Sequence, residues 1–317
     1  MWFIGIDVSK AALDAASLSD DGEIRRIHVA NSDSGHAQLI EWLREAPGSC
    51  IAMEATATYH RALVAAFAKA ALPVSLLNPA QVSHFVKSQQ RRNKTDRADA
   101  MWLAVYARER HPAPTAPVSF RHQSMSREIY ALDKDLTRLK NRLDAAQAGE
   151  AHPDVIASLQ RRIQLLQQEK QALEEQLERD VRTDHPDELA LLTSIPGIAN
   201  RSECLLLAEF QNVRRFSSAR KLVAFAGLTP AHFESGATVH RYTRISRMGS
   251  SAIRRILYMP CLSAIQHNDV IRSFFSRLVE RGKPRKAAVV ACMAKLLRII
   301  YGVLIHRHPF SPQPVTP

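Results

Sequence analysis

The stretch WFIGIDVSKAALDAASLSDDGEIRRIHVA, residues 2–30, holds three strand-length segments in succession. Trp2–Val8 is a short apolar run with one acid, Asp7, near its end, and Leu13–Leu18 follows it. Asp20-Asp21-Gly22 is a turn signal, after which Ile24–Val29 alternates apolar and polar side chains. Connections this short join antiparallel neighbours, so the chain is expected to open on a three-stranded antiparallel unit. The period then changes. Ser34 stands where it would cap a helix with apolar positions Ala37, Leu39, Ile40 and Leu43. Cys50–Met53 reads as a buried strand ending at Glu54, and Leu63, Val64, Phe67 and Ala70 have helical spacing. Val74–Leu77 is a further strand, stopped by Asn78-Pro79. A polar loop, Ser88–Lys94, precedes a helix from Thr95 to about Arg110. The order βββ, α, β, α, β, α, α predicts an α/β domain.

Outward from this domain the composition shifts. His111–Pro117 has three prolines in seven residues and reads as a linker. Beyond it, Met125, Ile129, Leu132, Leu136, Leu139, Leu143 and Ala146 step by four and three, the seam of a coiled coil. The seam breaks at Ala148–Pro153 and resumes at Leu159, Ile163, Leu166, Lys170, Leu173 and Leu177. Two long helices joined by a short loop make a hairpin or an arm for a second subunit, with Lys170 fixing register or partner at some loss of stability. From Asp187 onward the pattern is mainly helical with basic loops. The expected organisation is an α/β domain over 1–117, a coiled-coil helical hairpin over 118–186 and a mainly α domain over 187–317.

Charge narrows the function. The 317 residues carry a net charge of +12, and residues 191–317 hold 19 basic against five acidic side chains. An excess confined to one segment points to a polyanion, with nucleic acid ahead of an anionic membrane surface. The four cysteines lie far apart without a CxxC pair, which argues against a zinc ribbon or a disulfide framework and fits a reducing cytoplasm. No basic segment precedes an apolar one at the N-terminus, so no signal peptide is expected. The most apolar run, Val289–Leu304, carries Lys295 and Arg298 and reads as too short and too charged to span a bilayer. Ser194-Ile195-Pro196-Gly197-Ile198 has the shape of a helix–hairpin–helix turn whose backbone N–H groups receive a phosphate, although Ala199 stands where a second glycine is usual. An ordinary turn between two core helices is the alternative.

Four acids then stand out. Asp7 and Glu54 close two strands, and Asp96 and Asp99, three apart, share one face of a helix. In this topological order the strand ends and the late helix converge at one sheet edge. Four carboxylates there repel one another unless cations neutralise them, and two Mg²⁺ ions about 4 Å apart require such hard oxygen ligands to clamp a phosphodiester. Singly, each has a structural alternative: a turn cap for Asp7, a surface charge for Glu54, an acid favoured by the helix dipole for Asp96.

Gly5-Ile6-Asp7-Val8-Ser9-Lys10, Met53-Glu54-Ala55-Thr56 and Arg92-Asn93-Lys94-Thr95-Asp96-Arg97-Ala98-Asp99-Ala100 resemble the DEDD motifs of the insertion sequence 110 family. These are bacterial transposases whose N-terminal domain is similar to the Holliday-junction resolvase RuvC and has a ribonuclease-H-like fold. The resemblance implies that Asp7, Glu54, Asp96 and Asp99 form a metal-binding tetrad for two Mg²⁺ ions, with Mn²⁺ as a substitute. It extends to Ala224-Phe225-Ala226-Gly227-Leu228-Thr229-Pro230, Glu234-Ser235-Gly236 and Arg244-Ile245-Ser246-Arg247-Met248-Gly249, which look like the family's second conserved domain. There the serine of the Ser-Gly element becomes covalently joined to DNA, a role that maps to Ser235. By sequence alone, Glu234-Ser235-Gly236 would read as a hairpin turn. Ser246, Ser250 and Ser251 compete with Ser235, although Ser250 reads better as a helix cap. Tyr242 and Tyr258 keep a tyrosine mechanism open.

The resemblance implies a DNA recombinase that cuts and rejoins donor and target DNA through a phosphoserine intermediate, guided by an element-encoded RNA. The enzyme is expected in the cytoplasm, associated with the nucleoid, as a dimer or tetramer held through the coiled coil and without a membrane partner. Arg91, Arg92, Lys94, Arg241, Arg244, Arg247, Arg254 and Arg255 are the expected nucleic-acid contacts. With tetrad and serine more than a hundred residues apart, a composite site across subunits is expected. The rival reading is a RuvC-type junction-resolving nuclease that uses metal and water, with no covalent intermediate. A further rival is a non-catalytic nucleic-acid-binding protein.

Overall fold

A computed structural model of the chain describes residues 1–55, 58–89, 96–115, 120–199, 201–231, 234–235, 239–240, 244–246 and 248–312; at 96–98, 231, 234–235, 239–240 and 244 the description is of the backbone. The chain divides into two compact units, Met1–Pro117 and Val118–Pro317.

The first unit is built on a five-stranded sheet. β1 (Trp2–Val8), β2 (Ala12–Ser19) and β3 (Ile24–Ala30) form the antiparallel start expected from residues 2–30. α1 (Asp33–Arg44) leads to β4 (Cys50–Glu54), and α2 (Arg61–Lys69) leads to β5 (Val74–Leu77). β4 lies parallel to β1, and β5 parallel to β4, giving the order β3-β2-β1-β4-β5. That mixed order, central β1 with an antiparallel wing on one side and crossover strands on the other, is the ribonuclease-H-like arrangement. β1 is covered on both faces: Phe3, Ile4, Gly5 and Ile6 are all buried. α3 (Pro79–Ser88) and α4 (Asp96–Arg110) complete the unit.

Two local expectations need correction. Ser32, not Ser34, caps α1: it has extended backbone and its side chain accepts from the Gly35 N–H. Both serines are adequate cap residues, and the chain's exit from β3 decides which one takes the extended conformation. The linker reading of 111–117 also fails over its first half. Thr115 N–H donates to the Val74 carbonyl, Thr115 Oγ1 accepts from the Leu76 N–H, and Ser75 Oγ donates to the Pro112 carbonyl. Residues 112–115 therefore cover the edge of β5, and a sheet edge is where proline is tolerated.

The second unit opens on two long helices, α5 (Arg121–Ala148) and α6 (Pro153–Asp184). They pack antiparallel, since Arg121 pairs with Asp180 at one end and Asp133 with Lys170 further along. At the tip, Leu136 and Leu139 are buried with Leu159 and Ile163. Lys170 bridges Asp133 of α5 at 2.5 Å and Glu174 of its own helix at 3.6 Å. Burial alone would lower its ammonium, but the Asp133 hydrogen bond and the nearby carboxylate charges outweigh this and hold it above the usual lysine value.

At its base the hairpin joins the main core. Ile129, Leu177 and Val181 are buried with residues of α7 (Pro186–Thr193), α8 (Arg201–Phe210), α9 (Ala219–Phe225), α10 (Ser251–His267), α11 (Asp269–Glu280) and α12 (Arg285–His306). The apolar run at Val289–Leu304 belongs to α12, which at 22 residues is by length and composition alone enough to cross a membrane. In this fold it is a core helix: Val289, Cys292, Leu296, Leu297, Ile300 and Leu304 are buried against the other helices. A buried polar knot fastens the hairpin to α8. Glu209 accepts from Ser126 Oγ (3.1 Å) and Gln123 Nε2 (3.5 Å) of α5. Its burial raises its carboxyl above the usual value, against the pull of Arg127. Arg215 lies near it, stacked on Phe216 and Phe225, and burial brings its guanidinium down to about 10.

Candidate functional site

The acidic edge of the first unit follows from strand register. β1 and β4 are parallel with Gly5 opposite Ala52 and Ile6 opposite Met53, so the next positions, Asp7 and Glu54, stand side by side. Side chains alternate along a strand, so Asp7 shares a sheet face with Phe3 and Gly5, as Glu54 does with Ala52. α4 lies on that face. A Cβ added to Gly5 would stand 2.1 Å from the Ala100 carbonyl oxygen and 2.3 Å from the Ala104 nitrogen. Glycine is required there because the helix backbone rests directly on the strand. Phe3 packs with Leu103 and Ala107 and makes an edge contact with His111 at 5.4 Å. Moving along β1 from Phe3 to Gly5 thus moves backward along α4, and one further step reaches Asp7 at the end where α4 begins with Asp96 and Asp99. The backbone brings all four predicted positions to one end of the sheet.

Asp7, Glu54 and Asp99 are half-buried, and each makes polar or electrostatic interactions. Among the described residues no three His, Cys, Asp or Glu side chains are grouped closely enough to hold a metal ion; the side chain of Asp96 lies outside those described. The donor set is all carboxylate, which suits hard divalent cations such as Mg²⁺ or Mn²⁺ and disfavours soft ones. Arg91, Arg92 and Lys94 lie outside the described residues.

Two residues that the sequence did not single out belong to the same face. In the antiparallel β1–β2 pair Asp14 is directly opposite Asp7, and in β2–β3 His28 is opposite Asp14. His28 Nδ1 and Asp14 Oδ1 are 3.0 Å apart, so His28, Asp14, Asp7 and Glu54 form a row across four strands. A cavity of about 280 Å³ beside that row is lined by Asp14, Arg26, His28 and Ala100, among others. The signal was present in the hairpin register, but that register depends on where the turn after Val8 falls.

In the second unit, β6 (Pro230–Ala231) pairs with β9 (Arg244–Ile245), and β7 (Glu234–Ser235) pairs with β8 (Val239–His240). Ser235 is opposite Val239, and the residues between them, 236–238, lie outside the described set. Arg244 sits in β9 opposite Ala231, whereas Arg241 and Arg247 lie outside the described residues. Ser250 caps α10 by accepting from the Ile253 N–H at 3.3 Å. Arg254 donates to the carbonyls of Ala226 (2.9 Å), Ser250 (3.3 Å) and Gly249 (3.4 Å) and so ties the start of α10 to the end of α9. The Arg255 guanidinium lies over the Tyr130 ring, which Lys134 also approaches at 4.5 Å. Gly197 has φ +98°, and a Cβ there would stand 2.4 Å from the Ala264 nitrogen of α10. Close packing on α10 accounts for that glycine.

Comparison with known proteins yields two matches that follow each other along the chain. Residues 4–148 match the transposase family defined by the DEDD domain of IS110, and residues 189–276 match the Transposase IS116/IS110/IS902 family. The chain belongs to the IS110 family of transposases. Relatives span its length. The pilin gene-inverting protein of Moraxella bovis is 26% identical over 320 residues, covering 98% of this chain and 97% of its own. The IS1111A transposase of Coxiella burnetii is 24% identical over 345 residues, covering 97% and 90%. Among solved structures, Thermus thermophilus RuvC in complex with a Holliday junction substrate aligns with 36% of this chain and 99% of its own, at 18% identity and a TM-score of 0.29. The ribonuclease-H-like assignment stands instead on the strand order of this IS110-family chain.

Proposed function

We propose that this IS110-family chain is a DNA recombinase of a mobile element, cutting and rejoining donor and target strands through a covalent serine intermediate. The observation that carries the reading is the docking of α4 on β1 at Gly5, which supports a grouping of Asp7, Glu54, Asp96 and Asp99 at one sheet edge. These carboxylates would hold Mg²⁺ or Mn²⁺. Such ions, when bound, stabilise charge on attacking and leaving oxygens of a phosphodiester. Ser235 supplies the nucleophile: its Oγ gives up a proton and forms an ester bond to phosphorus as one P–O bond of the strand breaks, and the departing oxygen takes up a proton. Attack by a DNA hydroxyl on that ester reverses the step, restoring the serine and joining a new strand. The arginines that follow Ser235 in the sequence, Arg241, Arg244 and Arg247, would balance the charge of the transferring phosphoryl group. A guide RNA selects the sites, and the chain works as an oligomer.

The test is a denaturing gel on the purified chain with its element's RNA, labelled donor and target DNA and Mg²⁺. Wild type is expected to give a protein-linked DNA band that Ser235→Ala lacks. Cleavage without that band, unchanged in Ser235→Ala, would replace this proposal with the metal-and-water nuclease.

A further inference from the structure

We infer that the turn between α11 and α12 is a phosphate-binding surface that grips duplex DNA along its backbone. Five cations, Arg277, Arg281, Lys283, Arg285 and Lys286, fall within ten residues, and all are exposed. Glu280 is the one acid among them. Several other exposed arginines of this unit are engaged: Arg272 with Asp269, Arg182 with Glu178, Arg201 with Glu174 and Arg307 with Asp187. Those without an ion pair among the described residues, such as Arg214, Arg220 and Arg298, do not form so dense a run. None of the five makes an ion pair or a side-chain hydrogen bond among the described residues; Arg277 lies over the Phe274 ring at 5.5 Å.

The frame that carries these charges is fixed. Gly282 N–H donates to the Val279 carbonyl (2.9 Å) and Lys283 N–H to the Leu278 carbonyl (3.0 Å), closing α11. α12 starts two residues later and is anchored in the core through Ala288 and Val289. Like charges held this close on a rigid frame repel one another and are relieved by a polyanion. Solubility alone does not require such a cluster.

The chemistry selects among polyanions. Residues 277–286 contain no aromatic side chain on which unpaired bases could stack. Arginine and lysine are the chief donors to phosphate oxygens, and half or more of protein–DNA hydrogen bonds go to the backbone, a grip suited to a duplex. An interfacial membrane surface needs apolar side chains to insert beside its cations. The exposed large hydrophobics of the described residues (Met248, Tyr258 and Met259 among them) include none from α11, the turn or α12. This surface starts beyond residue 276, where the second family match ends, and it shares no residue with the β7–β8 pair or the start of α10.

Equilibrium binding of the full chain to a random-sequence DNA duplex across a salt series tests the assignment. Each phosphate contact contributes about −0.9 to the slope of log K against log salt. The variant R281Q/K283Q/R285Q/K286Q is expected to flatten the slope by about 2 to 4 on that scale. The charge-keeping variant R281K/K283R/R285K/K286R should retain the wild-type slope. Lys283→Gln and Lys286→Gln singly, each expected to remove about 0.9, read the same quantity should the fourfold variant fold poorly. An unchanged slope in the neutral variants would overturn the inference. So would a loss confined to single-stranded RNA or to phosphatidylserine vesicles with duplex binding intact. The readout is binding, so it stands whether or not a protein-linked DNA band is found.

Discussion

Replacing Gly5 with alanine perturbs the contact on which the geometry of the acidic edge depends. The new Cβ would stand 2.1 Å from the Ala100 carbonyl oxygen, 2.3 Å from the Ala104 nitrogen and 2.6 Å from the Leu103 Cβ. A close C···O approach is about 3.3 Å, so α4 or β1 must give way by about 1 Å. Overpacking in a core costs about 1–3 kcal/mol, occasionally more. Here two of the opposing atoms belong to helix backbone, and α4 is held by the buried Leu103, Ala104 and Ala107, so the upper end, about 3 kcal/mol, is expected. For a unit of this size that lowers Tm by roughly 10–15 °C. A misplacement of about 1 Å at reacting groups reduces rate by roughly a hundredfold. The assay pairs thermal denaturation of the intact chain with the DNA cleavage rate at a temperature where the variant is folded. The account expects a lower Tm together with a larger loss of rate than of DNA affinity. A variant that melts within about 2 °C of wild type and cuts at the wild-type rate would refute the docking of α4 on β1 and, with it, the convergence of the four acids.

Glu209→Gln tests the buried knot. Burial raises the Glu209 carboxyl above its unfolded value of 4.5, so its favourable contribution is complete below that pH and is lost as pH rises through the folded value. The Tm of Glu209→Gln minus that of wild type should therefore be more positive at pH 7 than at pH 4.5; a pH-independent difference would contradict the assignment. Lys170→Met replaces the Asp133 and Glu174 partner with a seam-filling apolar side chain, and chemical denaturation is expected to show a change within about 1 kcal/mol. A loss above about 3 kcal/mol would mean that the pair holds the hairpin together. Gly197→Ala places a Cβ against α10 in a positive-φ turn, and a destabilisation of at least 2 kcal/mol is expected from overpacking and strain together, roughly. A near-neutral result in denaturant would return that glycine to the phosphate-binding reading.

Residues 2–30 announced their strands because alternation and the Asp20-Asp21-Gly22 turn are local signals. The five strands and the helix from about Thr95 to Arg110 follow the pattern closely. Long-range pairing was harder to see. Asp14 and His28 join the acidic face through register, and register depends on a turn that a one-residue shift would reassign to the opposite face. Residues 112–115 look like a linker because prolines dominate them, yet their remaining polar groups pair with β5. Arg254 and Arg255 read as free cations on a basic stretch. The fold turns the first toward backbone carbonyls and the second toward Tyr130, contacts that no spacing rule anticipates.

The central claim, that the edge holding Asp7 and Glu54 beside the start of α4 is a metal site for DNA cleavage, is tested most directly by Mn²⁺ binding. The intact chain with duplex DNA would be titrated with Mn²⁺ while electron paramagnetic resonance reports free and bound ion, for wild type, Asp7→Asn and Glu54→Gln. The account predicts saturable binding of up to two ions per chain in wild type, with at least one lost in each variant and DNA affinity retained. Equal Mn²⁺ binding by all three proteins would contradict it.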